Sequence, residues 1–206
     1  MRFDDGLRTA LRSHLESFDR RALPLEGRRS AAVAVVAVPD AGEEAVVILT
    51  VRASGLRRHG GQWACPGGRR EPGETAEAAA LRELEEEVGL TLPPEHILGC
   101  LDDYPTRSGF VITPVVVWGS AAPLRPDPSE VARIDLVPFE ALLAPDAVVL
   151  QSIPQSERPV LALSLSRAEG LLYAPTAAIL HQFAEVALCG RETRVAHYEQ
   201  PLFAWR

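Results

Sequence analysis

The chain is expected to fold as a single α/β domain in which strands and helices are mixed rather than strictly alternating. Three observations lead there. Two runs rich in Val and Ile, "AAVAVVAV" (31–38) and "AVVILTVRA" (45–53), flank the short polar loop "PDAGEE". Residues 5–21 and 174–190 space their apolar side chains three and four apart, the period of a helix with one buried face. No repeat, low-complexity tract or linker divides the 206 residues, a length suited to one well-buried core.

The elements follow in order. Leu7, Leu11, Leu15 and Phe18 make 5–21 an amphipathic helix. The two Val/Ile runs form a hairpin of buried strands. Residues 54–74, rich in Gly and Pro, form a long structured loop. A helix spans 75–88, with Thr75 as N-cap, Glu77 in the first turn and Gly89 as the stop. Strands are expected at 97–104 and 109–118. After the proline-rich "APLRPDP", the stretch "SEVARIDLVPFEALL" runs from a short strand into a helical turn. Gly190 ends the helix at 174–190, and the tail "RVAHYEQPLFAWR" is a last strand or an arm. This divides the chain into a helical extension (1–28), a main domain (29–190) and a C-terminal arm (191–206). The arm is unusually apolar, so it packs on the domain or on a second subunit; a homodimer stays open.

Totals exclude several classes. A net charge of −7 opposes general nucleic-acid binding, which needs a basic face. No apolar run reaches the roughly 20 residues that span a bilayer, and the acidic, helical N-terminus does not resemble a leader peptide. A cytoplasmic protein without membrane contact is the expectation. Cys65, Cys100 and Cys189 are odd in number and lack a CxxC pair, so reduced thiols are expected. All 21 cationic residues are arginine. Spacing, rather than arginine identity, therefore carries weight.

The helix at 75–88 raises a physical question. At 100° per residue, Glu83, Glu86 and Glu87 fall within an arc of roughly 100°, where they repel one another. Like charges at i,i+4 cost a few tenths of a kcal/mol. A hard divalent cation between them removes that cost, and Mg²⁺ takes carboxylates together with substrate phosphates. Three glutamates alone would read as a solvated acidic face; their surroundings select the metal-binding reading.

Those surroundings are G-x5-E-x7-R-E-U-x-E-E-x-G-U, with U an apolar residue, filled by Gly68, Glu74, Arg82, Glu83, Leu84, Glu86, Glu87, Gly89 and Leu90. At average residue usage the coincidence arises roughly once in a billion starting points. The stretch resembles the signature of the Nudix hydrolases, without departure. The resemblance implies an α/β/α sandwich around a mixed β-sheet, a Mg²⁺ or Mn²⁺ cofactor, and hydrolysis of a nucleoside diphosphate linked to another moiety. By position, Glu83, Glu86 and Glu87 are the implied metal ligands, joined by the Gly68 carbonyl. Arg82 would pair with a carboxylate of the cluster or with Glu74, and Glu74 would act from the loop. For the general base, Glu86 is the expectation and Glu130 its rival.

Upstream, "LTVRASGLRRHGGQWACPGG" (49–68) looks like a second motif, that of the coenzyme A diphosphatase branch, roughly LLTxRSxxLRxHxGQxxFPGG. Leu49, Thr50, Arg52, Leu56, Arg57, His59, Gly61, Gln62, Pro66, Gly67 and Gly68 match, whereas Ala53 replaces a serine and Cys65 a phenylalanine. Arg52, Arg57, His59 and Gln62 are the implied substrate contacts. From Arg52 to Arg70 there are five arginines, one histidine and no acidic residue, which suits a polyanion. The leading expectation is cleavage of coenzyme A or acyl-CoA into 3′,5′-ADP and (acyl-)4′-phosphopantetheine. Two alternatives stand: a diphosphatase for ADP-ribose, a dinucleotide or a nucleoside triphosphate, and a binding module that has lost hydrolysis. Trp63, Trp118, Trp205 and His181 read as packing residues.

Overall fold

The computed structural model describes residues 1–53, 62–165 and 170–205. Helix α1 (Asp5–Ser17) is capped by the Asp4 carboxylate, which accepts from the Leu7 N–H. Strands β1 (Arg29–Pro39) and β2 (Ala45–Arg52) pair antiparallel around the polar loop, with Ala37 opposite Val47. Strand β3 (Trp63–Ala64) pairs with the end of β2, and β4 (Gly67–Arg69) with the start of β1. Helix α2 (Ala76–Val88) starts where Thr75 accepts from the Ala78 N–H. It stops at Gly89, whose φ of +70° few other residues adopt.

Beyond it come β5 (Ile97–Cys100), β6 (Tyr104–Pro105), β7 (Phe110–Trp118) and β8 (Val131–Pro138). Strand β7 lies parallel to β1, and β8 antiparallel to β2, so the eight-stranded sheet is mixed. A short helix α3 (Phe139–Leu142) leads to a second, three-stranded sheet of β9 (Val148–Ile153), β10 (Ser156–Ser164) and β11 (Leu171–Tyr173). Helix α4 (Thr176–Gln182) then widens into a π-helical stretch, Phe183–Leu188.

Alternation along β1 divides the core. Ala32, Ala34, Val36 and Val38 pack on Ala79, Ala80, Leu84 and Val88 of α2. Val35 and Ala37 face Leu11 and Leu15 of α1, Ile179 and Phe183 of the last helix, and Leu161 and Leu172 of the small sheet. Helices cover both faces of one mixed sheet, the expected α/β/α sandwich in a single domain. Among the described residues no helix is long and apolar enough to cross a membrane.

The structure differs from the expected elements at several places, and for the tail it takes one of the two forms expected. The strand at 97–104 is two strands, because Asp102 and Asp103 leave the ladder to serve buried partners. Asp102 accepts from Arg194, Gln182 and the Arg21 N–H; Asp103 accepts from Arg20, Thr113 and the Leu23 N–H. Those same bonds hold residues 20–23, so the first helix ends at Ser17 rather than at 21. The three-stranded sheet was not expected at all. The tail is an arm on its own domain, with one bridge between Glu199 and Val160 and a 3₁₀ turn at Leu202–Trp205.

A buried charge anchors that arm. Arg107 donates to Glu199 through both Nε (3.0 Å) and Nη2, and its guanidinium covers the Trp205 ring at 4.7 Å. Paired this way, the Glu199 carboxyl is held down to about 2 from 4.5. A depressed acid stabilises the fold above its unfolded pKa and loses that contribution as pH falls toward the folded value. Glu199→Gln should therefore lower stability by about 1–2 kcal/mol at pH 7. In thermal melts the gap between variant and parent should close between pH 4.5 and 2. Equal melting temperatures at pH 7 would show that the pair anchors nothing.

Candidate active site

The site forms where β4 runs into the loop before α2. Arg82 is its centre. Its Nε and Nη2 donate to the two oxygens of Glu74 (3.0 and 3.2 Å), Nη1 donates to Glu83 and Glu86 (2.9 Å each), and Nη2 also reaches the Arg69 carbonyl (3.1 Å). One planar guanidinium thus ties the loop, the strand and the helix together. Glu74 is held below the usual carboxylate range, chiefly by its bond from Arg82. Glu74 also accepts from the Glu71 N–H (2.8 Å), which folds the loop onto the helix.

Glu87 faces elsewhere. Its side chain is 3% exposed, accepts weakly from the Gly67 N–H (3.3 Å) and lies 3.7 Å from Arg52 Nη1. Burial pushes its carboxyl up to about 7; Arg52 opposes the shift, while Glu83 and Glu130 add to it. Burial also raises Glu83, against Arg82. Glu86, by contrast, is 58% exposed. Glu130 sits across from the helix because the loop before β8 caps α2: Arg125 N–H donates to Val88 O and Asp127 N–H to Glu87 O. The Glu130 carbonyl accepts from the Ala53 N–H at the end of β2.

Gly68 is needed for its missing side chain. A Cβ there would lie 2.4 Å from Glu83 Oε1 and 2.6 Å from its Cδ. The strand backbone consequently comes within reach of the carboxylate.

Among the described residues, no three His, Cys, Asp or Glu side chains converge at metal-binding spacing. Glu83 and Glu86 turn to Arg82, and Glu87 to Arg52. The donor set nonetheless suits a hard divalent ion: carboxylate oxygens beside strand backbone, one of them desolvated with a single long amide bond. Glu83, Glu86, Glu87 and the Gly68 carbonyl are the groups that would hold it.

A pocket of about 550 Å³ opens beside this cluster. Arg52, Gly67, Gly68 and Arg69 form its end near the carboxylates, and Trp63, Phe110, Tyr173 and Phe203 supply aromatic walls. Gln62 lines it too, while its carbonyl accepts from the Arg52 N–H at 3.1 Å. Cys65 stands in the wall where burial pushes its thiol up to about 12, so it presents a small neutral surface. Arg57 and His59 lie outside the described residues. Trp63, expected as packing, is half packing and half wall: its Nε1 donates to Asp135 (2.6 Å). Phe110, Tyr173 and Phe203 were not anticipated, and Arg69 only as one of the five arginines between residues 52 and 70. For Arg69 a signal existed, since it follows the signature glycine; the aromatic residues carry none that is local.

A carboxylate-bearing helix with a glycine-rich lead-in, set against a mixed sheet between helices, makes this an α/β/α sandwich with an acidic site at the mouth of a pocket. The model of the NUDIX domain matches residues 28–160, more than half of the chain, and the chain belongs to the Nudix hydrolase family. It is 32% identical over 141 residues to a Photorhabdus laumondii protein named as the uncharacterized Nudix hydrolase NudL, covering 68% of this chain and 75% of that one. A Yersinia pestis protein of the same name is 38% identical over 103 residues, 49% of this chain and about half (52%) of that one. A MutT/nudix family protein from Enterococcus faecalis superposes with a TM-score of 0.49 at 22% identity, covering 75% of this chain and 55% of that chain.

Gly68→Ala separates activity from stability. The clashing atoms belong to the far end of a flexible side chain, so the melting temperature should fall little. Glu83 must swing away to make room, and kcat for any substrate turned over should drop about 10-fold or more. Full activity in this variant would remove Glu83 from the site.

Proposed function

We propose that the protein hydrolyses the diphosphate bond of coenzyme A or acyl-CoA, giving 3′,5′-ADP and (acyl-)4′-phosphopantetheine. The observation that carries this reading is the adjacency of the carboxylate cluster to the aromatic-walled pocket. The diphosphate would lie at the Gly68 end and the nucleotide or pantetheine arm along the walls. Bound Mg²⁺ or Mn²⁺ would neutralise diphosphate oxygens and acidify the attacking water.

The chain's own residues do the rest. Arg82 keeps Glu83 and Glu86 close together and ties them to Glu74, so that few side-chain torsions separate this arrangement from one that would grip an ion. Arg52 lies between Glu87 and the pocket, placed to pair with a diphosphate oxygen, with Gln62 beside it. Arg57 and His59 are assigned to substrate contact by their motif positions alone. Glu86 is the proposed general base: of the three signature carboxylates it is by far the most exposed to solvent. Glu130 is the rival, being close enough to raise both Glu83 and Glu87.

A second reading, an ADP-ribose, dinucleotide or nucleoside triphosphate diphosphatase, draws on Cys65. With a small thiol in the wall, the pocket does not impose one shape on the non-nucleotide half.

Incubation with Mg²⁺ and a panel of diphosphates, with products identified by mass, decides between them. Coenzyme A should be cleaved well ahead of ADP-ribose, and chelation should abolish turnover. The reverse order selects the second reading. Among variants, Glu86→Gln should cost about 100-fold or more in kcat and Glu130→Gln less than about 10-fold. The opposite ranking assigns the proton to Glu130.

A further inference from the structure

We propose that Arg29, Arg69 and Phe110 form a subsite for a second phosphate, a phosphomonoester carried by the substrate apart from its diphosphate. The subsite deepens the coenzyme A reading and rests on it for its substrate.

Strand pairing builds it. Parallel register sets Phe110 beside Arg29, and antiparallel register sets Arg69 beside Ala31. Alternation along β1 places residues 29, 31 and 33 on one face, and Ala31 and Val33 line the pocket on that face. Three side chains from three strands therefore meet at one end of the pocket wall. The Arg29 guanidinium lies 3.9 Å from the centroid of the Phe110 ring and that of Arg69 5.5 Å.

Two like charges over one ring repel each other, and among the described residues no carboxylate offsets either. The nine arginines that do pair, from Arg2 to Arg194, include neither Arg29 nor Arg69. Arg29 makes one long bond, from Nη2 to the Ser108 carbonyl (3.3 Å). The ring holds both guanidiniums by a cation–π attraction that leaves N–H donors free. In a protein of net charge −7, an uncompensated pair beside the pocket has the chemistry of a dianion receptor. Ser108 and Thr106, whose hydroxyls lie 3.1 Å apart, also line this end.

Position gives the ligand class. Arg69 directly follows Gly68, whose backbone touches Glu83, so one residue separates the diphosphate end from the subsite. A ribose phosphate next to a diphosphate bridges such a step; ADP-ribose and dinucleotides without a phosphomonoester do not use it.

The test uses the full chain with Mg²⁺ and the doubly substituted R29A/R69A, whose exposed positions predict an unchanged melting temperature. Calorimetry compares adenosine 3′,5′-bisphosphate with 5′-AMP, and kinetics compare coenzyme A with its 3′-dephospho form. The parent should bind the bisphosphate about 10-fold tighter or more. The double variant should lose that preference, with KM for coenzyme A rising about 10-fold more than KM for the dephospho form. If neither thiol is cleaved but the bisphosphate preference appears and vanishes in R29A/R69A, the hydrolysis reading fails and the subsite stands. A parent that binds both nucleotides equally, or a double variant that keeps the preference, overturns it.

Discussion

Four carboxylates within one small region have to be kept from driving it apart, and a single guanidinium does most of that. Arg82 spends its donors on Glu74, Glu83, Glu86 and the Arg69 carbonyl, so the loop, the helix and strand β4 share one charge. A point charge on a flexible stem cannot span that many acceptors, whereas a planar fork with five donors can. Because Arg82 belongs to the same helix as two of its partners, helix geometry alone sets most of the arrangement. Glu74 is the long-range part. Its bond turns the glycine-rich loop back onto α2 and so delivers Gly68 to Glu83.

Glu87 lies outside that network, and its isolation is informative. A carboxylate that is 3% exposed, with one long amide donor and a guanidinium 3.7 Å away, is under-compensated. Such a group is tolerated where something else supplies positive charge, and the direction in which burial moves its pKa says the same. Arg52, at the end of β2, is shared between this carboxylate and the pocket. It couples the acidic helix on one side of the sheet to the cavity on the other.

The helix could be read from the chain because all its determinants are local. Thr75 and Gly89 act as cap and stop in the structure as their residue types require, and the 100° step alone puts Glu83, Glu86 and Glu87 on one side. The β1–β2 hairpin was legible for the same reason. The small sheet was not. "VVLQSI" and "SERPVLALS" do contain short apolar runs, but Pro159 and the exposed alternate positions weaken the pattern, and its stability comes from Leu161, Leu163 and Leu172 joining a core built by distant segments. The split at 101–103 was equally hidden, since nothing near Asp102 reveals that its partners are Arg194 and Gln182, some ninety and eighty residues on.

That contrast has a physical cause that extends to function. The groups proposed for bond cleavage, Arg52 and Glu130 apart, fall within 23 consecutive residues; ligands of a divalent ion would have to be fixed to better than an ångström, and one helix with its lead-in loop can provide that rigidity. The groups that shape the pocket come from residues 31 to 204, one to three from each of several strands and from the arm. Apart from Arg52, Gly67 and Gly68, which also touch the carboxylates or the strand beneath them, each contributes area or charge rather than exact geometry and can vary without disturbing the carboxylates. The Arg107–Glu199 anchor follows the same logic: it holds Phe203 and Gln200 against the pocket from nearly a hundred residues away. Chemistry is therefore concentrated in a segment a reader can recognise, whereas selectivity becomes visible only once the sheet has brought its strands side by side.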